Sequence, residues 1–495
     1  MKEKKEKGIE KEKITFDIDK EKNFSEWFTE IIKKAELADL RYNVKGFIVF
    51  QPWSVISMEL MYAELERILR LEGHRPYWYP AVIPESNFKL EKEHVEGFAP
   101  EVFWVTETGA GEKLEERLAL RPTSETAFYQ MFALWIRSYK DLPFKTYQRA
   151  QVFRYETKAT RPFLRSREIY WIESHNAFAS KEDSVKQVKE DMQTTKELLQ
   201  DFLCVPFIFF ERPQWDKFAG AESTFAADSL MPDGRAIQLP STHLLGQNFS
   251  KPFNVTFKDE KGNDQHVWNT CYGPAVSRIF AAMVAVHGDN NGLIFPFSAA
   301  PVQVIIIPIF DEKNKTKILA EAEKVRKELS ELNLRPEIDA GEERLGDKLY
   351  YWEMKGIPLR IELGEKELKQ KKFLLFRRDT KKKELVALNE LKKKILAEGN
   401  KLDESLRKKA EKFFFDSIVE AKSIEEAKKL MQKGKIAKVE FCSIGLDAAK
   451  CAEVIEKEVQ ASVRGKRIDL EEKTKGNCVV CGKKASVIVY IARSY

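Results

Sequence analysis

The spacing of apolar residues first indicates a long helix in the early part of the chain. Between residues 54 and 71, apolar side chains such as Met58 and Tyr62 recur every three or four positions, which places them on one helix face. Gly73 follows the last of them, as is typical of a helix C-terminus. We therefore predict a helix that ends just before Gly73. A short strand ending in Pro80 is predicted to follow it.

Strand-forming patterns dominate the stretch from about residue 118 to 296. Runs rich in β-branched and aromatic residues, bounded by turn-forming ones, recur along it. The clearest are residues 151–156, 168–178, 235–239 and 254–258. Successive strands of this kind, with few helices between them, predict a large antiparallel sheet.

A different pattern begins near residue 300. Residues 302–308 form an almost unbroken β-branched run, typical of a strand that is buried on both faces. Predicted helices at about 314–332 and 345–355 alternate with predicted strands at 335–338 and 359–362. This alternation predicts a small α/β domain with a parallel or mixed sheet.

The length of the chain implies several domains. Its 495 residues amount to about three domains of about 150 residues each. Beyond about residue 384 the sequence is rich in Lys and Glu with a helical pattern, and it closes with Cys-bearing turns and a strand at 486–491. We predict four segments: a charged tail at 1–13, a large domain at 14–298, an α/β domain at 299–400 and a small domain at 401–495.

Composition excludes several classes of protein. Hydrophobic residues make up 43% of the chain, which suffices for packed cores and argues against bulk disorder. The longest apolar stretches are about nine residues, against about 20 needed to cross a bilayer, so we expect no membrane segment. The opening residues lack the apolar segment of a secretory signal, so we expect a cytoplasmic protein. The net charge of +6 permits a nucleic-acid partner without requiring one.

The clearest chemical signal lies in a predicted hairpin that starts near Phe153. If the chain is extended there, Arg154 and Glu156 share one face of the first strand. The same period of two aligns a second set on the returning strand: Arg165, Arg167, Trp171, Glu173 and His175. Guanidinium and carboxylate groups on one face would suit a phosphate-bearing ligand. A salt-bridged surface hairpin is the alternative.

This segment resembles motif 2 of the class II aminoacyl-tRNA synthetases. Residues 46–80 resemble motif 1, a long helix followed by a strand that ends in Pro, and residues 273–286 resemble motif 3. The three motifs occur in the order of that family. The resemblance implies an α+β fold: a class II catalytic core built on an antiparallel sheet, an α/β anticodon-binding domain and a small zinc-binding C-terminal α+β domain.

Two positions depart from the motifs of the family. Ile169 stands where motif 2 usually has a Phe that stacks on adenine, so apolar contact alone would hold that face of the base. Gly273 and Arg278 are five positions apart, whereas motif 3 usually places its Arg four residues after the Gly. The turn before the motif 3 helix must therefore differ.

Shorter segments are similar to those of one subclass, the prolyl-tRNA synthetases. Residues 121–126 resemble their Thr-x-Glu proline-recognition motif, and residues 217–221, 235–238 and 241–249 are similar to the archaeal and eukaryotic-cytosolic branch. The resemblance extends from about residue 20 to 495. It implies a proline–tRNA ligase that uses ATP and Mg²⁺ to activate L-proline and passes the prolyl group to tRNA(Pro). It also implies a homodimer formed through the motif 1 helix.

The resemblance assigns roles to individual residues. Arg154 and Arg278 would be the catalytic cations. The implied proline-binding residues are Thr123, Glu125, Arg154, Trp171, Glu173, His175, Phe218 and His243. The implied ATP-binding residues are Arg154, Glu156, Arg165, Gln238, Ser241, Cys271 and Arg278. In the α/β domain Lys348 would contact tRNA, unless it is an ordinary solvated lysine.

Four cysteines late in the chain suggest a metal site. Cys478 and Cys481 are separated by two residues, so their thiolates can bind one tetrahedral ion. Cys442 and Cys451 are further apart than the usual two to four intervening residues, although the family shows a comparable layout of four cysteines. Structural Zn²⁺ is the prediction, and reduced, partly buried thiols are the alternative. The family also has a C-terminal Tyr that turns back towards the catalytic domain, so the Tyr495 ring is expected to be buried.

Two other functions remain open at this point. One is a synthetase-like tRNA-binding protein that has lost catalysis, and the other is a class IIa synthetase for threonine or serine. The presence of the Thr-x-Glu motif together with the Arg and Glu residues of motifs 2 and 3 argues against the first. A threonyl site would use a catalytic zinc, and no His/Cys set of that layout is apparent within the core motifs. Taken alone, His175 could be structural, and residues 123–125 could simply start a helix.

Overall fold

The computed structural model of the chain describes residues 16–88, 102–157 and 159–495. The predicted charged tail, residues 1–13, lies outside these ranges. Among the described residues, no helix combines the length and the apolar character that crossing a bilayer requires.

The described residues form both helices and strands throughout. The α-helices are α1 (Phe24–Lys34), α2 (Pro52–Leu71), α3 (Glu85–Phe88), α4 (Glu125–Trp135), α5 (Lys181–Lys196), α6 (Val276–His287), α7 (Lys315–Ser330), α8 (Leu345–Met354), α9 (Glu365–Lys369), α10 (Leu391–Phe415), α11 (Ile424–Gln432) and α12 (Ala449–Val454). The strands are β1 (Ala38–Asp39), β2 (Val49–Phe50), β3 (Arg75–Pro76), β4 (Val82–Pro84), β5 (Phe103–Glu107), β6 (Lys113–Leu120), β7 (Phe144–Phe153), β8 (Glu168–Phe178), β9 (Ile208–Glu211), β10 (Ser223–Leu230), β11 (Arg235–Gly246), β12 (Thr256–Lys258), β13 (Asp264–His266), β14 (Trp268–Tyr272), β15 (Val304–Ile309), β16 (Pro336–Ile338), β17 (Leu359–Gly364), β18 (Lys372–Arg377), β19 (Lys382–Ala387), β20 (Ile418–Glu420), β21 (Ile436–Phe441), β22 (Ser462–Arg467) and β23 (Val487–Ser494).

One large sheet organises the molecule. Its strand order is β20-β21-β23-β22-β9-β10-β11-β14-β8-β7-β3. The stretch from β9 to β7 pairs antiparallel throughout, which confirms the predicted antiparallel core. At its far side β22 pairs antiparallel with β9, so the strands of the small C-terminal domain continue the sheet of the large domain. These two domains therefore share one hydrogen-bonded framework.

The predicted helix over residues 54–71 is confirmed by α2, and Gly73 follows it with a left-handed φ of +90°. The predicted strand ending in Pro80 is wrong, because the ladder of β3 stops at Pro76. Proline has no N–H to donate to a ladder, and although the Tyr77 N–H still donates to the Tyr147 carbonyl at 2.8 Å, the chain leaves the sheet before Pro80. Trp78, in the middle of this stretch, is 91% exposed.

The α/β domain has the predicted mixed sheet. Its strand order is β16-β15-β17-β18-β19. The first two pairings are parallel and the last two are antiparallel. The interior strand β15 has buried side chains on both faces, as its β-branched run predicts. Helix α10 follows this sheet and runs without a break through residue 400, where the sequence suggests a domain boundary.

Helix α6 lies beneath the sheet and is buried almost all round. Ten of its twelve residues are buried, among them Phe280 and Met283. Helix α6 is apolar because it packs against both α2 and the sheet strand β8. Arg278 is one of the two residues of α6 that are not fully buried. Because the rest of α6 is packed on all sides, the backbone of Arg278 has little freedom to move.

A buried cluster of charges joins the C-terminal domain to the large domain. Asp228, on β10, accepts two hydrogen bonds from Arg212, at 2.6 and 2.9 Å, and two from Arg464 of β22, at 2.7 and 3.2 Å. The side chains of Arg212, Asp228 and Arg464 are 1%, 4% and 8% exposed. A single carboxylate thus compensates two guanidinium groups that have no access to bulk water.

We predict that Asp228→Asn destabilises the protein strongly. The substitution leaves two desolvated guanidinium groups without a carboxylate, and removing one partner from a buried ion pair typically costs about 3 to 5 kcal/mol. Equilibrium denaturation with a urea gradient measures the change in the free energy of unfolding.

Asp469→Asn is the matched control for this prediction. Asp469 pairs with Arg467 on the same strand β22, but its side chain is 51% exposed. Exposed pairs contribute only about 0 to 1 kcal/mol. Equal effects of the two substitutions would show that the buried cluster is not a determinant of stability.

Candidate active site

A cavity of about 200 Å³ opens on the face of the large sheet. Its walls include most of the side chains that the sequence singles out. The predicted site residues that line it are Thr123, Glu125, Arg154, Trp171, Glu173, His175, Phe218, Gln238, Ser241, His243, Cys271 and Arg278. Strands β8, β11 and β14 supply seven of these twelve, so the sheet fixes the relative positions of most of them.

Strand β8 presents its alternate residues to the cavity. Ile169, Trp171, Glu173 and His175 all line the cavity wall. This agrees with the period-two alignment predicted for the last three of them. A one-residue shift of register would turn the whole row to the other face, and the ladder with β7 prevents it.

The extended geometry predicted for Arg154 and Glu156 is wrong. Strand β7 ends at Phe153, and the Glu156 N–H donates to the Arg154 carbonyl at 2.7 Å, which closes a tight turn. The returning residues Arg165 and Arg167 likewise precede β8 rather than belong to it. The side chain of Arg154 reaches the cavity from this loop and not from a strand face.

Glu156 and Arg165 lie beside the cavity. They are not among the residues that line it. Their side chains face each other, with Arg165 Nε 3.7 Å from Glu156 Oε2. The loop that carries them also contains Arg161, which donates to the Tyr495 hydroxyl at 3.2 Å. The Tyr495 hydroxyl in turn donates to Asp233 Oδ2 at 2.5 Å, and its ring is half-buried rather than fully buried as expected.

Two carboxylates lie together at one end of the cavity. The Thr123 hydroxyl oxygen is 2.5 Å from Glu125 Oε2 and 3.1 Å from Glu173 Oε1. A hydroxyl has one hydrogen and can donate to only one of these carboxylates at a time. Glu173 also accepts from the Ser124 N–H at 3.0 Å, the Ser124 hydroxyl at 2.5 Å and the Gln148 amide at 2.9 Å. These protein donors stabilise the charge of Glu173 in the place of water.

The two carboxyl groups shift each other's protonation. Burial raises the pKa of Glu125 above its ordinary range, and the neighbouring charge of Glu173 raises it further. Burial also raises the pKa of Glu173, while the hydrogen bond from Ser124 and the charge of Arg121 oppose that shift. The pair accordingly favours one negative charge over two until a cation enters.

The start of α4 explains how Glu125 reaches this position. Glu125 is the first residue of the helix and Ser124 is the residue before it. The Ser124 side chain makes no capping hydrogen bond, because its hydroxyl donates to Glu173 instead. Residues 123–125 thus lead into a helix, as the alternative interpretation proposed, and Thr123 and Glu125 also line the cavity.

His243 is held as a neutral ring. Its Nδ1 lies 2.9 Å from the Thr224 hydroxyl, and its Nε2 lies 3.0 Å from the Ser241 hydroxyl. Burial lowers the pKa of His243 to about 3, and the charge of Arg212 adds to that shift. The imidazole packs against Phe218 with ring centroids 4.6 Å apart, so the two rings form one wall of the cavity.

Guanidinium groups gather at the other end of the cavity. Arg154 Nε donates to the Pro122 carbonyl at 3.0 Å, and its guanidinium lies 5.6 Å from the centroid of the Trp171 ring. Arg278 donates to the carbonyls of Leu164 and Gln238 at 3.3 and 3.4 Å. Burial lowers the pKa of Arg278 to about 10, with the nearby charges of Arg154 and Arg165 adding to the shift. This end of the cavity therefore favours an anionic ligand.

The two departures from the family motifs have structural counterparts. Ile169 lines the cavity and packs in a small apolar cluster with Val152 and Ala275. Before α6, the Pro274 carbonyl accepts a hydrogen bond from the Ile172 N–H at 3.1 Å, so this turn is tied to β8. The five-residue spacing still brings Arg278 to the cavity.

The cavity-lining residues that the sequence analysis missed include Arg212, Asp216 and Thr224. They follow β9 or lie on β10, where the sequence shows apolar runs without a motif. No local signal could have found Arg212, because its role depends on Arg464, which lies 252 positions further along the chain.

The sequence analysis found no His/Cys set with the layout of a threonyl zinc site, but it did not anticipate a different group of possible metal ligands in the cavity. Glu125, His175 and Cys271 each offer one ligand atom, and these atoms lie within 4.8 Å of one another. Their sequence separations hide the group, since only the register of β14 with β8 makes Cys271 the cross-strand partner of His175.

The four late cysteines also come together. Their sulfur atoms lie within 4.8 Å of one another, and Cys442 Sγ is 3.7 Å from Cys451 Sγ. Cys478 and Cys481 lie on a turn that Gly482, with φ +69°, completes by donating to the Cys478 carbonyl at 3.0 Å.

Lys348 has partners within its own domain. Its side chain is 6% exposed, and its Nζ lies 3.1 Å from Asp339 Oδ1. The same ammonium donates to the Gly341 carbonyl at 2.6 Å. As placed, Lys348 stabilises this loop, and a contact with tRNA stays a prediction that requires the ammonium to exchange partners.

Three family models match successive parts of the chain. Residues 103–287 match the tRNA synthetase class II core domain (G, H, P, S and T), residues 303–398 match an anticodon binding domain, and residues 424–495 match the C-terminal domain of prolyl-tRNA synthetase. Together with the antiparallel sheet and its cavity, they define a class II aminoacyl-tRNA synthetase.

Comparison with individual relatives shows which class II synthetase family the chain belongs to. A proline–tRNA ligase of Thermofilum pendens is 47% identical over 481 residues, which are 97% of this chain and 98% of that protein. The proline–tRNA ligase of Methanopyrus kandleri is 43% identical over 95% of this chain and 96% of its own length. The structure of Giardia lamblia prolyl-tRNA synthetase in complex with prolyl-adenylate has a TM-score of 0.94 and 36% identity, and the match covers 97% of this chain and 100% of that one. The chain belongs to the prolyl-tRNA synthetases and is a proline–tRNA ligase.

We predict that kcat/KM for proline rises as pH increases through the raised pKa of Glu125. Below that pKa the carboxyl is neutral and cannot pair with an ammonium group, whereas above it the carboxylate can. Initial rates of proline-dependent pyrophosphate exchange, measured from pH 5.5 to 8.5 at saturating ATP, test this.

Glu125→Gln is the matched variant, because the amide keeps the shape of the side chain but cannot ionise. Its kcat/KM for proline should be low and independent of pH in this range, while its KM for ATP stays near that of the wild type. The assignment of this pKa to Glu125 would be contradicted if kcat/KM of the wild type did not rise with pH. It would also be contradicted if Glu125→Gln showed the same rise.

Proposed function

We propose that the cavity activates L-proline with ATP to form prolyl-adenylate and then transfers the prolyl group to tRNA(Pro). The observation that carries this proposal is the polarity of the cavity. One end holds the carboxylates of Glu125 and Glu173, and the other holds the guanidinium groups of Arg154 and Arg278. An amino acid with a cationic nitrogen and an anionic polyphosphate can occupy these ends side by side.

The carboxylate end suits proline in both charge and shape. The positive charge of a secondary ammonium would offset the negative charge of Glu125 and Glu173. Its N–H groups would donate to the carboxylate that the Thr123 hydroxyl leaves without its hydrogen bond. The pyrrolidine ring would contact the side chains of Trp171, His175 and Phe218, with His243 behind them. Because His243 is neutral, it adds no repulsion to the ammonium.

The guanidinium end suits the nucleotide. Arg154 would contact the proline carboxylate and the ATP α-phosphate, and Arg278 would contact the γ-phosphate. The remaining implied nucleotide contacts are Glu156, Arg165, Gln238 and Ser241. Cys271 is also an implied nucleotide contact, but its Sγ lies at the carboxylate end, 3.6 Å from Glu125 Oε1. Mg²⁺ would enter with ATP as part of that substrate, since it usually binds phosphate oxygens and keeps several waters.

The reaction needs no covalent link to the protein. A carboxylate oxygen of proline attacks the α-phosphorus, the bond to the β-phosphate breaks, and pyrophosphate leaves. Negative charge builds up on the phosphate oxygens, and preorganised donors such as Arg154 and Arg278 lower its energy. Holding both substrates in one small cavity supplies the alignment.

The other domains would serve tRNA binding and assembly. The α/β domain would bind the anticodon, and Lys348 is the residue that we propose for a contact there. Helix α2 exposes Val55 and Ile56, at 37% and 43%, and Trp78 is 91% exposed nearby in the chain. We propose that this apolar surface forms a homodimer interface. The reaction would take place in the cytoplasm.

The four late cysteines fit a structural zinc site. Sulfur atoms at about 2.3 Å from a tetrahedral zinc are about 3.8 Å apart, close to the 3.7 Å between Cys442 and Cys451. Cys442, Cys451, Cys478 and Cys481 would all be ligands. Bound zinc would cross-link the turn of Cys478 to helix α12 and so contribute folding energy to the C-terminal domain.

Amino-acid-dependent pyrophosphate exchange, run across the twenty amino acids, tests the proposed function. Proline should support the fastest exchange. Cysteine and alanine are small enough to enter the cavity, and differences of a methylene or two give only about 10- to 200-fold discrimination. Exchange supported best by another amino acid would overturn the assignment of substrate.

Arg154→Ala and Arg149→Ala form a matched pair for the same assay. Loss of one preorganised donor lowers the rate by about 10²- to 10³-fold, so Arg154→Ala should exchange pyrophosphate that much more slowly. Arg149 is also close to the end of β7, but it pairs with Glu59 on the surface and should matter little. Exchange near the wild-type rate in folded Arg154→Ala would refute its role.

We predict that Cys478→Ser removes bound zinc and lowers the melting temperature without removing a catalytic group. Metal analysis in the presence of saturating proline should find about one zinc per wild-type chain and close to none in the variant. Cys204→Ser is the control, because Cys204 lies in a separate apolar cluster with Leu402 and Leu406. Equal, sub-stoichiometric metal in all three proteins would indicate ordinary thiols.

A further inference from the structure

The cavity contains a group of side chains whose donor chemistry the proposed reaction does not use. Glu125, His175 and Cys271 place a carboxylate oxygen, an imidazole nitrogen and a thiol sulfur within 4.8 Å of one another, and all three residues are buried. These are the donor types that Zn²⁺ and Co²⁺ bind. Ligand atoms around one tetrahedral ion are about 3.3 to 3.8 Å apart, so the donors need to close in only slightly.

The backbone holds these donors in place. His175 and Cys271 are directly opposite each other in the β8–β14 ladder. Cys271 Sγ is 3.6 Å from Glu125 Oε1, which is close to the separation that two ligands of one ion have. The Tyr129 hydroxyl lies 3.4 Å from His175 Nδ1, and this contact helps to fix the orientation of the imidazole ring.

The charge of the cavity also favours a cation at this point. Glu125 and Glu173 are 1% and 2% exposed, and the hydrogen bonds of Ser124 and Gln148 go to Glu173. Burial raises the pKa of Glu125, and the charge of Glu173 raises it further, so a nearby cation would stabilise its carboxylate. Proline would supply one positive charge here, and a divalent ion would supply two.

We propose that Glu125, His175 and Cys271 bind Zn²⁺ when proline is absent, and that the ion and proline exclude each other. Binding the ion releases the thiol proton of Cys271, and any proton on Glu125, to solvent, with no change of oxidation state. The exclusion follows because Glu125 would serve both ligands in a cavity of about 200 Å³. The exclusion rests on the proposed function, whereas the metal binding rests on the three donors alone.

Titration with Co²⁺ tests the metal site, using the full-length chain with one equivalent of zinc in the four-cysteine site and no other metal. A thiolate–cobalt charge-transfer band and visible bands of tetrahedral cobalt should develop with one additional equivalent. Cys271→Ser should lose the charge-transfer band, and Glu125→Gln should bind Co²⁺ at least about 10-fold more weakly, the lower end of the effect found for partners that merely support a metal ligand. Cys204→Ser should titrate like the wild type.

Glu125→Gln keeps the test valid if Cys271→Ser does not fold, and the melting temperature of each variant shows which case applies. Co²⁺ that replaces zinc in the four-cysteine site also gives cobalt bands. The proposal is overturned if no bands appear in addition to these. It is also overturned if folded Cys271→Ser keeps the charge-transfer band.

Proline separates the two parts of the proposal. Added proline should raise the apparent Kd for Co²⁺ in proportion to its concentration, and Zn²⁺ should raise the KM for proline in pyrophosphate exchange without lowering kcat. If the enzyme without added Co²⁺ exchanges pyrophosphate with proline but proline does not displace Co²⁺, the exclusion is wrong and the proposed function stands. If cobalt binds and proline supports no exchange, the proposed function fails instead.

Discussion

Glu125 and Glu173 lie together at one buried end of the cavity, where burial and the charge of the neighbouring carboxylate favour one negative charge over two. Ser124 and Gln148 donate to Glu173, while the Thr123 hydroxyl must choose between the two carboxylates. A second charge here is costly until a cation arrives. The pair therefore favours a positively charged ligand, and we propose that the ammonium group of proline is that ligand.

The rest of the molecule positions this pair relative to the guanidinium groups. Strand β8 carries Glu173, helix α4 begins at Glu125, and helix α6 carries Arg278 on an almost fully buried segment. The Arg212–Asp228–Arg464 cluster extends the same framework into the C-terminal domain. Arg212 donates to Gln238 at 3.0 Å, so this domain reaches the nucleotide end of the cavity through one hydrogen-bonded chain.

Local patterns predicted the elements and the residues that lie within regular strands. The bounds of β8 and the common face of Trp171, Glu173 and His175 follow from a period of two. The positions of Arg154 and Glu156 did not follow from this period, because the tight turn at Glu156 interrupts the extended backbone after β7. The strand expected before Pro80 failed because proline cannot extend a ladder.

Contacts between distant segments were not predictable from the sequence. The pairing of Cys271 with His175 depends on the register of two strands that are nearly 100 positions apart. The partners of Lys348 depend on how the loop at Asp339 folds back over α8. In both cases a residue type indicated a chemical possibility, and only the tertiary structure decided which partner it meets.

Proton release on proline binding tests the central claim most directly. Calorimetric titration of the full-length chain with proline, in buffers of different ionisation enthalpy, measures the number of protons released. Below the raised pKa of Glu125, the account predicts release of about one proton per proline from the wild type and none from Glu125→Gln. Tight proline binding by the wild type without proton release at any pH between 5.5 and 7 would contradict it.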